Sequence, residues 1–181
     1  MVNHQEPVSE LSALPAMHVV VMGVAGCGKS AVGRLMANQL NIPLVEGDEF
    51  HSAENIRKMQ QGVPLTDADR AGWLRTLAME LVHHPLGMVL TCSALKSAYR
   101  DSLRCATPNL YFVHLAITEE EALRRVSQRA GHFYPASLVA SQFEALEDPS
   151  TEAGVLVLNG NSVKDQAVTA VAWLNARSHT L

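Results

Sequence analysis

The sequence lacks the features by which proteins enter membranes or hold nucleic acids. It has no run of about 18 apolar residues, the length that a membrane-spanning helix needs. Its formal net charge is −4, and aromatic residues make up only 5% of the 181 residues. Nucleic-acid binding depends on positive charge and on aromatic stacking, and both are scarce here. The composition therefore predicts a globular protein with neither a membrane nor a nucleic acid as its partner.

Cysteine is scarce as well, and no export signal is visible. The three cysteines, Cys27, Cys92 and Cys105, are widely spaced and odd in number, which does not suit a disulfide framework. The first 16 residues contain no Lys or Arg and no apolar stretch, so they do not resemble a signal peptide. We therefore predict a cytoplasmic protein with reduced thiols. Residues 1–16 are expected to form a flexible leader, and residues 17–181 a single domain.

Short apolar runs alternate along the chain with segments of helical periodicity. The runs are Met17–Met22, Ile42–Val45, Leu86–Cys92, Leu110–Ile117 and Val155–Leu158. Continuous apolar runs favour strands that are buried on both faces. Strands that alternate with helices predict an α/β fold, in which a parallel sheet has helices on both sides. Because ligands bind beyond the carboxyl ends of such strands, the residues that follow each run are candidates for a site.

The segment GVAGCGKS directly follows the first run and fits the pattern G-x-x-x-x-G-K-[ST]. Its glycines allow backbone N–H groups to face phosphate oxygens, and the following helix offers its positive N-terminus to the same anion. Lys29 is predicted to reach the β- and γ-phosphates as a catalytic group, and Ser30 to bind Mg²⁺. The alternative is a glycine-rich turn without a ligand. The predicted nucleotide-binding residues are Gly23, Val24, Ala25, Gly26, Cys27, Gly28, Lys29 and Ser30.

Two carboxylates follow the second run, in the segment VEGDEFH. Glu46 and Asp48 are two residues apart and would point the same way from a strand. We predict that Asp48 is the general base that accepts the proton of an attacking hydroxyl, and that Glu46 contributes to the metal site. A solvated acidic turn is the alternative. His51 is expected either to hydrogen-bond a hydroxyl of a polyol or to cap the next helix.

Basic residues in two further segments could hold an anionic substrate. Lys96, Arg100 and Arg104 recur at four-residue intervals, which places them in one stripe on a helix. Lys96 would oppose the dipole of that helix, which favours a ligand anion nearby, whereas a solvated position is favoured for Arg104. Arg70 is a candidate for binding a carboxylate through two hydrogen bonds. Its alternative is a surface ion pair with a neighbouring aspartate.

A lid is predicted at about residues 125–147. Arg125 and Arg129 are one helical turn apart and lead into AGHFYPASLVASQFEALEDP, where Gly131 and Pro135 interrupt the helix. A segment of this size can close over a nucleotide and exclude water. In that role Arg129 would clamp the phosphates as a catalytic residue, and Arg125 would stack on adenine. An ordinary helical hairpin with exposed arginines is the alternative.

Five segments together resemble those of the small bacterial gluconate kinases. They are MGVAGCGKSAVG, EGDEFH, NIRKMQQGVPLTDADRAGWL, CSALKSAYRDSLR and RAGHFYPASLVASQFEALEDP, and the resemblance extends from about Val19 to Trp173. It implies a three-layer P-loop kinase fold with a five-stranded parallel sheet and a small helical lid, related to nucleoside monophosphate and shikimate kinases. It also implies that the γ-phosphate of MgATP is transferred to the 6-hydroxyl of D-gluconate, and that the enzyme is a homodimer.

The same resemblance assigns roles to individual positions. It places Asp48 at the substrate hydroxyl, and it places the side chains of Arg70, Lys96 and Arg100 near the substrate. Relatives often have aspartate where this chain has Glu46, and the third run ends without a Walker B aspartate. Mg²⁺ would then rest on Ser30, phosphate oxygens and water, with few protein carboxylates.

Two other functions are compatible with a phosphate loop. A different small-metabolite kinase of this fold, such as a shikimate kinase, would be expected to have a glycine-rich triplet where this chain has CSALK. A nucleotide-binding regulator without turnover would not need a base such as Asp48 beside the γ-phosphate.

Overall fold

A five-stranded parallel sheet forms the centre of the fold. The computed structural model describes residues 16–128, 135–160 and 162–178, so that only Ala16 of the predicted leader is included. The strands are β1 (Met17–Met22), β2 (Leu44–Glu46), β3 (Gly87–Thr91), β4 (Tyr111–Ala116) and β5 (Val155–Asn159). Their spatial order is β2-β3-β1-β4-β5, and every neighbouring pair is parallel. The predicted α/β fold with five parallel strands is confirmed.

Helices connect the strands on both faces of the sheet. Within the described ranges they are α1 (Lys29–Leu40), α2 (Ala53–Gln60), α3 (Asp67–His83), α4 (Ser97–Arg104), α5 (Glu119–Ser127), α6 (Val139–Ala145) and α7 (Val163–Ser178). Two short 3-10 turns span Gly47–Phe50 and Ala136–Leu138. Of the helices described, none is both long enough and apolar enough to cross a bilayer.

Side-chain caps fix where several helices begin. Helix α3 starts with a capping box, in which the Thr66 hydroxyl accepts a hydrogen bond from the Asp69 N–H at 3.2 Å and the Asp69 carboxylate accepts one from the Thr66 N–H at 2.9 Å. Helix α5 starts in a similar way, because the Thr118 hydroxyl accepts from the Glu121 N–H at 3.2 Å. Each such cap stabilises its helix by about 1 kcal/mol.

Strand β1 explains why the apolar runs are continuous. Val19 and Val21 face one core, Val20 and Met22 face the other, and all four are 0% exposed. Full burial of each such side chain stabilises the fold by about 1.5–3 kcal/mol. The first core is completed mainly by α1 and α7 (Val32, Met36, Ala167, Leu174), and the second by α3 and α4 (Leu77, Leu81, Leu103). The sheet is therefore the middle of three layers.

The strand register brings the predicted site residues to one edge of the sheet. Thr91 at the end of β3 is aligned with Glu46 of β2 and with Val21 of β1. Gly47 follows Glu46, and a Cβ atom there would lie 2.2 Å from the Thr91 carbonyl oxygen. Only glycine allows this close approach, so the turn after β2 can sit directly against the end of β3.

Candidate active site

The phosphate loop, Gly23–Ser30, joins β1 to α1 as the sequence predicts. Gly23 and Gly28 have φ values of 137° and 102°, which side chains with a Cβ atom rarely adopt. Helix α1 begins at Lys29, directly after Gly28. Its first N–H groups therefore lie at the loop, where they can face an anion.

Lys29 and Ser30, at the start of α1, are held by different hydrogen-bond partners. The Lys29 ammonium donates hydrogen bonds to the carbonyl oxygens of Gly23 at 3.0 Å and Val24 at 3.1 Å. An ammonium has three donors, so the loop carbonyls leave one donor of Lys29 for a ligand. The Ser30 hydroxyl instead donates to the Glu46 carboxylate at 2.9 Å.

The Glu46 carboxylate is fixed by two hydroxyl groups. Its Oε2 accepts hydrogen bonds from Ser30 at 2.9 Å and from Thr91 at 2.6 Å. The Gly47 N–H donates to the Thr91 hydroxyl at 3.3 Å, which locks β2 and β3 together at this point. The end of β3 has no carboxylate, and Glu46 at the end of β2 provides one beside Ser30 instead.

The oxygen atoms around Ser30 suit a hard cation. A hydroxyl and a carboxylate are the oxygen donors that Mg²⁺ takes from proteins, alongside phosphate and water. In the described part of the chain, no group of three or more His, Cys, Asp or Glu side chains could hold a metal by itself. The donor set therefore fits a Mg²⁺ ion that shares most of its ligands with a nucleotide.

A cavity at this edge of the sheet brings together residues from both halves of the predicted site. Its lining includes Lys29 and Ser30 of the phosphate loop, and also Asp48, His51 and Arg70. These residues lie up to about 40 positions apart in sequence. The residues that would bind a donor and those that would bind an acceptor of a transfer reaction therefore line the same cavity.

Asp48 lies in the 3-10 turn after β2 rather than on the strand. The strand ends at Glu46, so the expectation that Glu46 and Asp48 point the same way from a strand is not met. The turn at Gly47 separates them: Glu46 is held by Ser30 and Thr91, whereas Asp48 is exposed and lines the cavity. The two carboxylates therefore have different surroundings.

His51 is positioned by Trp73. The two rings stack with centroids 4.3 Å apart at 16°, and the Trp73 indole donates to the Gly47 carbonyl oxygen at 2.7 Å. Burial lowers the pKa of His51; the charge of Asp48 opposes this effect and that of Arg70 adds to it. Ser52, rather than His51, caps α2. The lowered pKa favours the neutral form of the His51 imidazole, whose orientation is set by Trp73.

Arg70 on α3 also lines the cavity. Its guanidinium donates a hydrogen bond to the Leu65 carbonyl oxygen and lies 5.9 Å from the centroid of the Tyr99 ring. Among the described residues it forms no ion pair with an aspartate, so the alternative of a surface ion pair is not observed. The remaining donors of this guanidinium can bind an anion in the cavity.

Lys96 lies near Arg70 but is tied to a carboxylate. Its ammonium donates to both oxygens of Asp67, at 2.8 and 3.0 Å, and the Tyr99 hydroxyl donates to the same carboxylate. The hydrogen bond to Asp67 raises the pKa of Lys96. Lys96 directly precedes α4, and it is not among the described residues that line the cavity.

Arg100 does not face the cavity, which corrects the expectation from sequence. Its side chain is 0% exposed and forms an ion pair with Glu152. It also donates to the carbonyl oxygens of Ala94 at 2.9 Å, Leu95 at 2.9 Å and Glu147 at 3.2 Å. All five donors of the guanidinium are engaged within the fold, so none is left for a substrate.

Arg104 shares the partner of Arg100 and is not simply solvated. It donates to Glu152 at 2.6 Å and to Asp101 at 2.8 Å, and its guanidinium lies 4.7 Å from the Phe112 ring centroid. The three residues of the predicted basic stripe therefore have different environments. Lys96 lies near Tyr99, Arg100 is buried in the interior and Arg104 lies at the surface.

The described part of the predicted lid touches both sides of the cavity. Arg125 donates to Glu121 at 2.5 Å and to the carbonyl oxygen of Gly26 in the phosphate loop at 3.4 Å. Beyond the gap in the description, Leu138 packs with Met59 and Leu65. Arg129 and Gly131 lie outside the described residues.

Three side chains at the site were not selected from the sequence. Thr91 holds Glu46, Trp73 orients His51, and Gln142 accepts a hydrogen bond from the Ala25 N–H at 2.5 Å. Thr91 could have been found from its place at the end of the third apolar run. Trp73 and Gln142 gave no local signal, because their roles depend on residues 22 and 117 positions away.

Comparisons with known proteins agree on one group of relatives. A family model described as an AAA domain matches residues 19–149. The thermosensitive gluconokinase of Escherichia coli K12 is 43% identical over 136 residues, covering 74% of this chain and 73% of that protein. A gluconokinase of Gluconobacter oxydans is 43% identical over 150 residues, covering 81% and 84%.

Comparison with solved structures also finds a gluconokinase. A gluconokinase from Sinorhizobium meliloti superposes with a TM-score of 0.83 at 41% identity, covering 92% of this chain and 95% of that one. A shikimate kinase from Acinetobacter baumannii superposes with a TM-score of 0.55 at 14% identity, covering 91% and 96%. At that identity the second match reflects the shared fold alone.

Proposed function

The chain belongs to the gluconokinase family, and on that premise we propose that it transfers the γ-phosphate of ATP to the 6-hydroxyl of D-gluconate. The products are 6-phospho-D-gluconate and ADP. The observation that carries the proposal is the cavity in which the phosphate-loop residues Lys29 and Ser30 meet Asp48 and Arg70. An ammonium and a hydroxyl for the phosphates and the metal, a carboxylate and a guanidinium in one cavity match a phosphate donor and an anionic, hydroxyl-bearing acceptor.

The donor side consists of the phosphate loop and the start of α1. We propose that backbone N–H groups of the phosphate loop bind the phosphate oxygens, apart from those of Gly23, Ala25 and Cys27, which donate within the protein. Lys29 neutralises the charge of the β- and γ-phosphates. Ser30 and Glu46 would hold Mg²⁺, which supplies further neutralisation of the phosphate oxygens when bound. The transfer then needs little covalent chemistry from the protein, because positioning and charge stabilisation dominate in phosphoryl transfer.

The acceptor side is proposed to consist of Asp48, His51 and Arg70. Asp48 accepts the proton of the 6-hydroxyl as that oxygen forms its bond to the γ-phosphorus, while the bond between phosphorus and the ADP oxygen breaks. Arg70 binds the carboxylate of gluconate, for which the planar guanidinium is well suited. His51, being neutral, can donate to one hydroxyl of the substrate or accept from it. Lys96 adds positive charge at the rim.

Further features of the proposal are the lid, the oligomeric state and the place of the protein in the cell. Residues 125–147 act as a lid of the single domain, with Arg125 near adenine and Arg129 at the phosphates. The hydrogen bond from Arg125 to the Gly26 carbonyl oxygen supports a position of Arg125 beside the phosphate loop. We also propose a homodimer in the cytoplasm, with no nucleic-acid partner.

A substrate panel tests the proposed function. The protein is incubated with MgATP and, separately, with gluconate, other sugar acids, polyols and shikimate, while ADP release is followed. Gluconate is expected to stimulate ADP release well above the rate without acceptor. Stimulation by shikimate instead would identify a different kinase of this fold, and no stimulation by any acceptor would favour a nucleotide-binding regulator. A Lys29→Met variant controls for contaminating kinases, because it removes the charge at the phosphates.

A further inference from the structure

Gln142 on α6 is a polar side chain of the cavity that the proposed reaction does not use. It is 8% exposed and lines the same cavity as Lys29 and Asp48. Its Oε1 accepts a hydrogen bond from the Ala25 N–H at 2.5 Å. A side chain from the lid segment is therefore joined to a backbone donor of the phosphate loop.

The amide group of Gln142 carries donors as well as an acceptor. Oε1 must face Ala25, because the backbone N–H can pair only with the oxygen of the amide. Nε2, with two N–H donors, is then the free end of the planar group. Within the described ranges no group accepts a hydrogen bond from Nε2, and the buried polar atoms without a partner are His51 Nδ1 and His114 Nδ1. Nε2 is thus accessible from the cavity.

The position of the Gln142 amide favours contact with one of the three phosphates of ATP. The start of α1, at Gly28–Ser30, offers its N–H groups on one arm of the phosphate loop. Gln142 meets the other arm, at Ala25, and lines the same cavity as Asp48. The phosphoryl group in transfer has to pass between the loop and Asp48, whereas the groups retained in ADP stay at the loop.

We propose that Gln142 is a further phosphate-binding residue, whose Nε2 donates a hydrogen bond to the γ-phosphate of ATP while Oε1 remains on the Ala25 N–H. This inference rests on the proposed kinase function. The Ala25 N–H is then used by Oε1, and the two N–H donors of Nε2 become available to the ligand in its place. It also means that α6 contributes directly to the recognition of a triphosphate as distinct from a diphosphate.

Nucleotide binding to a Gln142→Met variant tests the proposal. Methionine has a similar length but no amide group, so it removes the donors and keeps most of the packing. The affinities of a non-hydrolysable ATP analogue and of ADP, each with Mg²⁺, are measured by titration calorimetry. The Kd of the analogue is expected to rise about tenfold or more, the effect of losing a hydrogen bond to a charged group, and the Kd of ADP to stay within about twofold.

Glu144→Met is the matched control, because Glu144 is an exposed residue on the same helix. Both affinities should remain within about twofold of those of the unchanged protein. If the Gln142→Met variant changes both affinities by the same factor, or changes neither, Gln142 only supports the fold and the proposal is wrong.

A second variant covers the case in which Gln142→Met does not fold. Gln142→Glu keeps an acceptor for the Ala25 N–H and replaces the donor nitrogen by an anionic oxygen. The analogue should then lose more affinity than ADP, and equal losses would overturn the proposal. Neither measurement uses gluconate. A chain that fails to phosphorylate gluconate would therefore refute the proposed function while leaving this test intact.

Discussion

At the scale of single residues, the contrast between Glu46 and Asp48 supports the roles proposed for them. Glu46 accepts hydrogen bonds from two hydroxyl groups and sits beside Ser30, which supports its proposed place among the metal-binding oxygens. Asp48, two positions later, is exposed to the cavity. A base has to reach the hydroxyl of the acceptor, and of these two carboxylates only Asp48 is placed to do so.

Asp48→Asn should lower kcat for gluconate by about two orders of magnitude or more, because asparagine cannot accept the proton. The KM for ATP should stay within about twofold, since Asp48 is not on the phosphate loop. Steady-state kinetics at saturating gluconate measures both values. Glu49→Gln, at the exposed neighbouring position, is the control and should retain full activity. A kcat of the Asp48→Asn variant within tenfold of the unchanged protein would contradict the assignment of Asp48 as the base.

Some residues of the site could be predicted from the sequence and others could not, for a physical reason. Lys29, Ser30 and Asp48 lie in loops that follow apolar runs, and the ends of parallel strands meet at one edge of a sheet. The four-residue spacing between Lys96 and Arg100 is also typical of a solvated stripe on a helix. Nothing in the local sequence indicates that Arg100 pairs with Glu152, which is 52 positions away. Long-range pairing of this kind is decided by the tertiary fold.

At the scale of elements, the Arg100–Glu152 pair connects two loops that border the site. Arg100 binds carbonyl oxygens of the loop between β3 and α4 and of the segment after α6. The Glu147 N–H adds a hydrogen bond to the Leu95 carbonyl oxygen at 2.9 Å. The end of the lid segment is thereby fixed to the loop that precedes Lys96.

Arg100→Met should destabilise the protein by about 3 kcal/mol, because it leaves several carbonyl oxygens without a donor and leaves Glu152 with Arg104 as its remaining charged partner. Urea denaturation measures the free energy of unfolding. Arg124→Met is the control, since Arg124 forms an exposed ion pair with Glu121 that is expected to contribute about 1 kcal/mol or less. A loss of stability for Arg100→Met no greater than that of the control would show that the buried pair is not important for the fold.

The same pair predicts a pH dependence of stability. The hydrogen bond from Arg100 is the main cause of the lowered pKa of Glu152, which burial opposes. The unfolded chain therefore binds a proton at this position more readily than the folded chain does. The stabilisation of the folded state by the Glu152 carboxylate is fully present above the ordinary pKa of glutamate, 4.5. It is lost as the pH falls through the lowered pKa of Glu152 in the folded chain. As the pH is lowered from about 6 to about 3, the urea midpoint of Glu152→Gln should fall less steeply than that of the unchanged protein. Identical slopes of midpoint against pH for the two proteins would contradict this prediction.

At the scale of the whole molecule, the alternation of runs and helices was enough to predict the layers but not the strand order. Continuous apolar runs are typical of strands covered on both faces, and β1 is buried in this way. The order β2-β3-β1-β4-β5 depends on which helices pack together, such as α1 with α7, and no local pattern encodes it. The cavity that results draws on residues from Ala25 to Gln142.

The most direct test of the central claim is the identity of the product. The protein is incubated with MgATP and gluconate, and the phosphorylated product is analysed by phosphorus and carbon NMR. We predict one phosphomonoester, with its phosphorus coupled to carbon 6 of gluconate, formed in an amount equal to the ADP released. A phosphoester at another carbon, or inorganic phosphate without any sugar phosphate, would contradict the account.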